Sequence, residues 1–222
     1  MLKALILREF KTEWRNRNVL SGLLLYTFST ILLVYFLLNY GDTNDNVLSG
    51  LSRTILFWVI LLFSTVNAIS GSFFREPEGL FLYHYYTLKP EMYLVAKYIV
   101  NALLSFTLAI FSIVIFELLI PGHVAHVSLF LVVLIMGNLS FASIFTLMSS
   151  LASRAGAQSG VVPIIGFPIV VPVLIYISRL TVMALQPTFA WDMFIRDLGV
   201  LLSFNLILPI LGIILFPYIW RE

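Results

Sequence analysis

The chain reads as an all-α integral membrane protein with six transmembrane helices, on three observations. Six long stretches lack Asp, Glu, Lys and Arg altogether: Val19 to Gly41, Thr54 to Phe74, Tyr98 to Phe116, Val127 to Ser153, Ala155 to Ser178 and Leu198 to Trp220. The composition is 60% hydrophobic and 11% charged, far below the roughly 25% charged residues of soluble domains. The few Lys and Arg gather in alternate connections between the stretches.

A hydrocarbon layer needs about 20 residues of helix to cross it. Spans are therefore expected near 19–41, 54–74, 98–116, 127–153, 160–178 and 198–220, forming one transmembrane domain over residues 1–222. Lipid offers the backbone no hydrogen-bond partner, so such runs must satisfy their own N–H and C=O groups as helices. Barrel strands would alternate polar and apolar residues over about 10 positions, and these runs do not. The first run is longer than the 7–15 apolar residues of a signal peptide, and no small-x-small cleavage site follows it. It is expected to stay as a signal anchor.

Positive flanks are retained on the cytoplasmic side. The tail before the first span holds Lys3, Arg8, Lys11, Arg15 and Arg17, the second connection Arg75, Lys89 and Lys97, the fourth Arg154 and the C-terminus Arg221. The opposite face holds only Arg53, Arg179 and Arg196. Both termini are thus expected in the cytoplasm, in keeping with an even number of spans. The net charge of +2 is too small to suggest nucleic acid as a partner. With no Cys, the chain has no disulfide, no thiolate metal site and no Cys nucleophile.

Residues 1–18 read as an amphipathic interfacial helix leading into the first span through an elbow at Asn16 to Asn18. Leu2, Ile6, Phe10 and Trp14 recur at i, i+4, with Arg8, Lys11 and Arg15 elsewhere on the wheel. Glu9 and Glu13 blur the pattern, and a basic flank that only fixes topology is the plainer alternative.

The second connection, from Arg75 to Glu91, mixes charge with aromatics. Pro77 suits the first turn of a short helix, and Glu76 and Glu78 its positive end. Leu80, Phe81, His84, Tyr85 and Leu88 then form an apolar stripe, and Lys89-Pro90 stops the helix. Such a helix lies on lipid or docks into a groove of a soluble partner. The fourth connection, Ala152 to Gly160, is small and flexible, and offers a second docking point around Arg154. The fifth span carries Pro163, Pro168 and Pro172, each of which removes a backbone donor. A broken helix in lipid must be covered by protein or line a cavity, which makes this span the candidate moving or path-lining element. Prolines are also simply commoner in membrane helices than in soluble ones.

Enzyme chemistry is poorly represented. There is no H-E-x-x-H, no G-x-x-x-x-G-K-[ST] phosphate loop, and no Ser with a His nearby. The chain is expected to be non-catalytic and unable to hydrolyse ATP by itself. His123 and His126 sit three apart on an outer connection but lack a third ligand, so a solvated pair is the plainer reading and no metal site is expected. Glu117 lies at the outer end of the third span, within reach of the interface. Asn67, Asn101, Asn138 and Asn205 are expected to hydrogen-bond between helices.

Four stretches taken together resemble one family. They are Gly71-Ser-Phe-Phe-Arg-Glu76, Leu82-Tyr-His-Tyr-Tyr-Thr-Leu-Lys-Pro90, Ala152-Ser-Arg-Ala155 ahead of Gly166-Phe-Pro-Ile-Val-Val-Pro-Val-Leu174, and Phe216-Pro-Tyr-Ile-Trp-Arg221. The chain resembles the haem exporter protein B (CcmB) family from its basic N-terminal helix to its tail. The resemblance implies an ABC-2-type permease subunit of the system I cytochrome c maturation complex, in a bacterial inner membrane. It implies that Arg75, Glu76, Glu78, Gly79, Phe81 and Tyr85 belong to a short cytoplasmic coupling helix seated in a separate CcmA-like ATPase, with Arg154 at a second contact. Further implied partners are CcmC-like and CcmD-like membrane proteins, a CcmE-like haem chaperone and a second copy of the chain. ATP would then sit on the partner subunit and haem would be the substrate of the complex, for export or for release of the loaded chaperone. Rival readings are an exporter subunit for another lipid or hydrophobic substrate, a membrane scaffold for the ATPase without a transport path, and an intramembrane enzyme.

Overall fold

The computed structural model describes residues 2–40, 50–74, 90–122, 124–188 and 190–220. All regular structure among them is helical: α1 (Leu2–Arg15), α2 (Arg17–Tyr40), α3 (Gly50–Ile69), α4 (Pro90–Leu119), α5 (Val127–Arg154), α6 (Val161–Leu185) and α7 (Trp191–Trp220). Six of these, α2 to α7, are long and apolar enough to cross a membrane, as the sequence predicts.

The helices outrun the uncharged stretches, which mark only the hydrocarbon core. The third span opens at Pro90 and takes Glu91 and Lys97 into its first turns. The expected span bounds of 160–178 and 198–220 are corrected where they face each other: α6 continues through Arg179 to Leu185, and Trp191 to Arg196 form the first turns of α7. Charged side chains are tolerated there because helix ends reach the headgroup layer. At the other extreme the second span stops early. Past Ile69 the chain passes through hydrogen-bonded turns, with Ser72 N–H donating to the Ile69 carbonyl (2.9 Å) and Phe74 N–H to the Gly71 carbonyl (3.1 Å).

Helices α4 and α5 form the centre of the bundle. Helix α5 packs on α3, α4, α6 and α7, while α4 touches α1, α2, α3, α5 and α7. From Ser140 to Ser150 every residue of α5 is buried, so this half of the helix meets protein on all sides. Helix α7 buries a narrow seam instead. Phe194, Leu201 and Leu208 recur every seventh residue, followed by Gly212 and Phe216, the spacing of a left-handed crossing. Much of its remaining surface is apolar and exposed, Leu206, Ile210 and Ile214 included, which suits a lipid-facing helix.

In lipid, helices associate through close packing and hydrogen bonds rather than through release of water. Both devices are present. Trp58 of α3 is fully buried, donates its Nε1–H to Thr181 Oγ1 of α6 (2.9 Å), and meets Phe57 and Phe141 edge-on. Gly137 of α5 makes room for it, since a Cβ there would stand 2.8 Å from the indole and 3.0 Å from Ile177 Cδ1. Gly137→Val is therefore expected to destabilise the bundle by about 1–3 kcal/mol through overpacking, read as a lower melting temperature of the purified protein in detergent.

The polar residues of the spans bridge helices in three of the four expected cases. Asn101 donates to Ser72 Oγ (3.1 Å) and Thr146 Oγ1 (3.0 Å), Asn138 pairs with Ser105 Oγ (3.0 Å), and Asn205 donates to the Met136 carbonyl (3.0 Å). Asn67 differs: it faces outward from α3. Thr27 of α2 adds a further bridge to Ser64 Oγ of α3 (2.9 Å).

The N-terminal helix forms as expected and breaks at Asn16, whose carbonyl accepts from Leu20 N–H (3.2 Å) and so opens α2. Its orientation is corrected. The face against the bundle is centred on Leu5 and Glu9, which are buried, with Leu2, Ile6 and Phe10 at its margins. Trp14, expected on the apolar side, is half exposed and stacks on Phe10 at 5.4 Å. The outward face carries Lys3, Leu7, Lys11 and Arg15. The register shifts because Glu9 has a buried partner, which outweighs the stripe read from apolar residues alone.

Candidate functional site

The end of the bundle that carries α1 concentrates the charge and hydrogen bonding of the molecule, and it does so around the base of residues 75–89. The turn from Ser70 to Phe74 leads into that segment, and α4 leaves it at Pro90. Three helices hold the turn. From α4, Lys97 Nζ donates to the Ser72 carbonyl (3.1 Å) and Asn101 to the Ser72 hydroxyl; from α5, Ser149 Oγ donates to the Ser70 carbonyl (2.9 Å). From α1, Glu9 reaches in and pairs with Lys97 at 2.8 Å.

Both members of that ion pair are almost fully buried, Glu9 at 4% and Lys97 at 3% exposure. Isolated charges would be costly there; among the described residues the carboxylate, the Ser72 carbonyl and two ring faces share the ammonium. The rings belong to Phe73 and Tyr93, each centred 5.7 Å from Nζ, within cation–π range. Sequence supplies the geometry: Tyr93, Lys97 and Asn101 fall at i, i+4, i+8 on one face of α4.

An aromatic cluster continues the site. Phe73 meets Tyr93 edge-on at 5.8 Å, and Phe216 of α7 stands 6.1 Å from Phe73 and 6.3 Å from Tyr93. Arg154, the last residue of α5, places its guanidinium 5.9 Å from the Phe216 ring. One turn deeper, the Tyr98 hydroxyl lies against Gly212, where a Cβ would be only 2.7 Å away, and it is buried with no hydrogen-bond partner among the described residues. The base of residues 75–89 thus joins α1, α3, α4, α5 and α7.

The sequence-predicted residues divide as follows. Arg75, Glu76, Glu78, Gly79, Phe81 and Tyr85 lie outside the described residues. Arg154 sits beside the aromatic cluster. Pro163 falls in the first turn of α6, where its missing N–H leaves no helix bond unmade. Pro168 and Pro172 lie inside α6, which runs unbroken past both. The helix turns Val162, Gly166, Val170, Val173 and Ile177 inward, while Pro168 is exposed and Pro163 and Pro172 are half-buried. Glu9, Lys97 and Ser72 were not singled out by sequence: Lys97 reads as one more flanking cation and Glu9 as a blemish on an amphipathic stripe.

The opposite end holds a smaller lock. Arg53 at the start of α3 pairs with Glu117 near the end of α4, donates Nε–H to the Ile120 carbonyl (3.2 Å) and lies over the Phe116 ring at 5.6 Å. It borders a small cleft of about 20 Å³ whose lining includes Phe57, Ile113, Phe116, Phe130, Thr181 and Leu185. His126 N–H donates to the Ala184 carbonyl (3.0 Å), and its ring approaches the Pro187 carbonyl. His123 lies outside the described residues. Among the described residues, no three His, Asp or Glu side chains come together as a metal site would require.

Six helices long and apolar enough to cross a membrane place the chain in the class of multi-pass membrane proteins. A family model described as CcmB protein matches residues 1–210, and the chain belongs to the CcmB family. That family comprises permease components of haem transport in c-type cytochrome biogenesis. A comparison with curated proteins finds no match.

Proposed function

We propose that the chain is the non-catalytic membrane subunit of an ATP-binding-cassette complex that handles haem during c-type cytochrome maturation. The ATPase is a separate subunit, and it docks on residues 75–89, with Arg154 as a second contact. The chain lies in the bacterial inner membrane with both termini cytoplasmic, so that the joint at the root of residues 75–89 faces the ATPase. The match over residues 1–210 carries the reading. The charge asymmetry between the two faces supports the orientation. In this arrangement nucleotide-driven closure of the ATPase pushes on residues 75–89, and the push reaches α3, α4, α5 and α7 through the aromatic cluster at their root. Haem is the cargo of the complex; the ATPase supplies the energy and this chain supplies the moving helices.

Affinity purification of the full-length chain in mild detergent, followed by mass spectrometry, tests the proposal. The native chain is expected to bring down an ATPase together with cytochrome-maturation subunits. Glu76→Ala/Glu78→Ala is expected to reduce the ATPase recovered by roughly tenfold, as loss of about 1.4 kcal/mol of interface energy does. An ATPase accompanied by unrelated exporter components would reassign the substrate, and no ATPase at all would overturn the transporter reading.

A further inference from the structure

We propose that Lys97, held by Glu9, is a positioning residue for energy coupling: it fixes the turn that precedes residues 75–89 to α4, the helix that follows them, and to α1. The proposal rests on the reading of the chain as an ATPase-driven permease. Lys97 lies two turns into α4, just past the end of the segment, and its ammonium donates to the carbonyl of Ser72, just before the start. One side chain therefore spans the base of the segment.

Stability alone does not account for a buried ion pair at this point. Removing charges from water is costly, and replacing such a pair by apolar residues of similar volume is often neutral or stabilising. The ion pair supplies direction. The carbonyls beyond Ile69 lie at the C-terminal end of α3, the negative end of its dipole, where a cation is favoured. Lys97 satisfies one of them while its stem stays on α4. Glu9 pairs with the ammonium and in doing so seats α1, whose main contact with the bundle is α4. The outward face of α1, with Lys3, Leu7, Lys11 and Arg15, is left to meet headgroups. A push on residues 75–89 thus acts on a root that cannot slide between α3 and α4, and α1 moves with it. Without the ammonium, the Ser72 carbonyl loses its anchor on α4 and the turn absorbs part of the displacement.

The variant Glu9→Met/Lys97→Met separates this role from folding, because it removes both charges together and leaves neither stranded. It is to be measured in the whole complex, in cells and after purification with the ATPase. The expected result is native accumulation, native recovery of the ATPase and continuing ATP hydrolysis. The yield of haem-loaded c-type cytochrome per complex falls about tenfold, within the 5–150-fold range typical of coupling between sites. A cytochrome yield equal to that of the native chain would overturn the proposal. So would loss of accumulation or of ATPase recovery in the double variant, which would make the pair a folding element only. If the native chain itself recovers no ATPase, the functional reading fails rather than the role of Lys97.

Discussion

Lys97→Met on its own is expected to be among the most damaging single substitutions in the chain, costing about 3–5 kcal/mol, the usual penalty for removing one partner of a buried ion pair. The reason lies in what remains. Glu9, 4% exposed, would keep its carboxylate against α4, with Arg8 3.9 Å away as its remaining cationic neighbour among the described residues. The Ser72 carbonyl would lose its donor as well. The expected observation is loss of the chain from membranes, or a melting temperature in detergent well below that of Glu9→Met/Lys97→Met. Glu9→Gln is expected to cost less, because Lys97 keeps the Ser72 carbonyl and the faces of Phe73 and Tyr93. If the single Lys97 variant were as stable as the double, the ion pair would not be satisfying a buried charge.

Trp58→Ala is expected to cost about 3 kcal/mol, the lower end of the range for deleting a large aromatic from a packed interior. The lower end applies because lipid removes the share contributed by water release and leaves lost contacts and one hydrogen bond. Trp58 lies between α3, α5 and α6, on the floor made by Gly137 and with its N–H on Thr181. Its removal opens a void where these three helices meet. The measurement is again thermal unfolding in detergent. Trp58→Phe is expected to recover most of the loss, since the ring remains and Thr181 still donates to the Ile177 carbonyl (2.8 Å). An alanine variant as stable as the native chain would mean that α3, α5 and α6 are held together elsewhere.

The spans were legible in the sequence because hydrocarbon thickness imposes a length and a polarity that no other fold reproduces. Helix ends were less legible. A rule that stops a span at the first charge cuts α4 at Lys97, although the helix begins at Pro90, and ends α6 at Ser178, although it runs to Leu185. The joint at the root of residues 75–89 was legible only in part. Asn101 stood out as a polar residue within a span, and Arg154 as a charged residue on a short connection. Lys97 did not, because counting cations by side of the membrane treats each as a flank and asks nothing about its partner. The partner, Glu9, is distant in sequence and on a helix whose pattern suggested lipid rather than protein beneath it. One signal was available: Tyr93, Lys97 and Asn101 at spacing four place an ammonium between an aromatic and an amide on one helical face.

The turn at Ser70 to Phe74 has a thermodynamic consequence for whatever meets residues 75–89. The hydrogen bond from Lys97 to Ser72 closes a loop of chain across a separation of 25 residues. The entropy of bringing such ends together grows only slowly with length, about 0.6 kcal/mol per doubling, but its constant part is large. Here that closure is completed when the bundle folds. A protein that binds residues 75–89 between them meets a flanking turn and helix already brought together, and its binding energy can go into shape and contact rather than into loop closure.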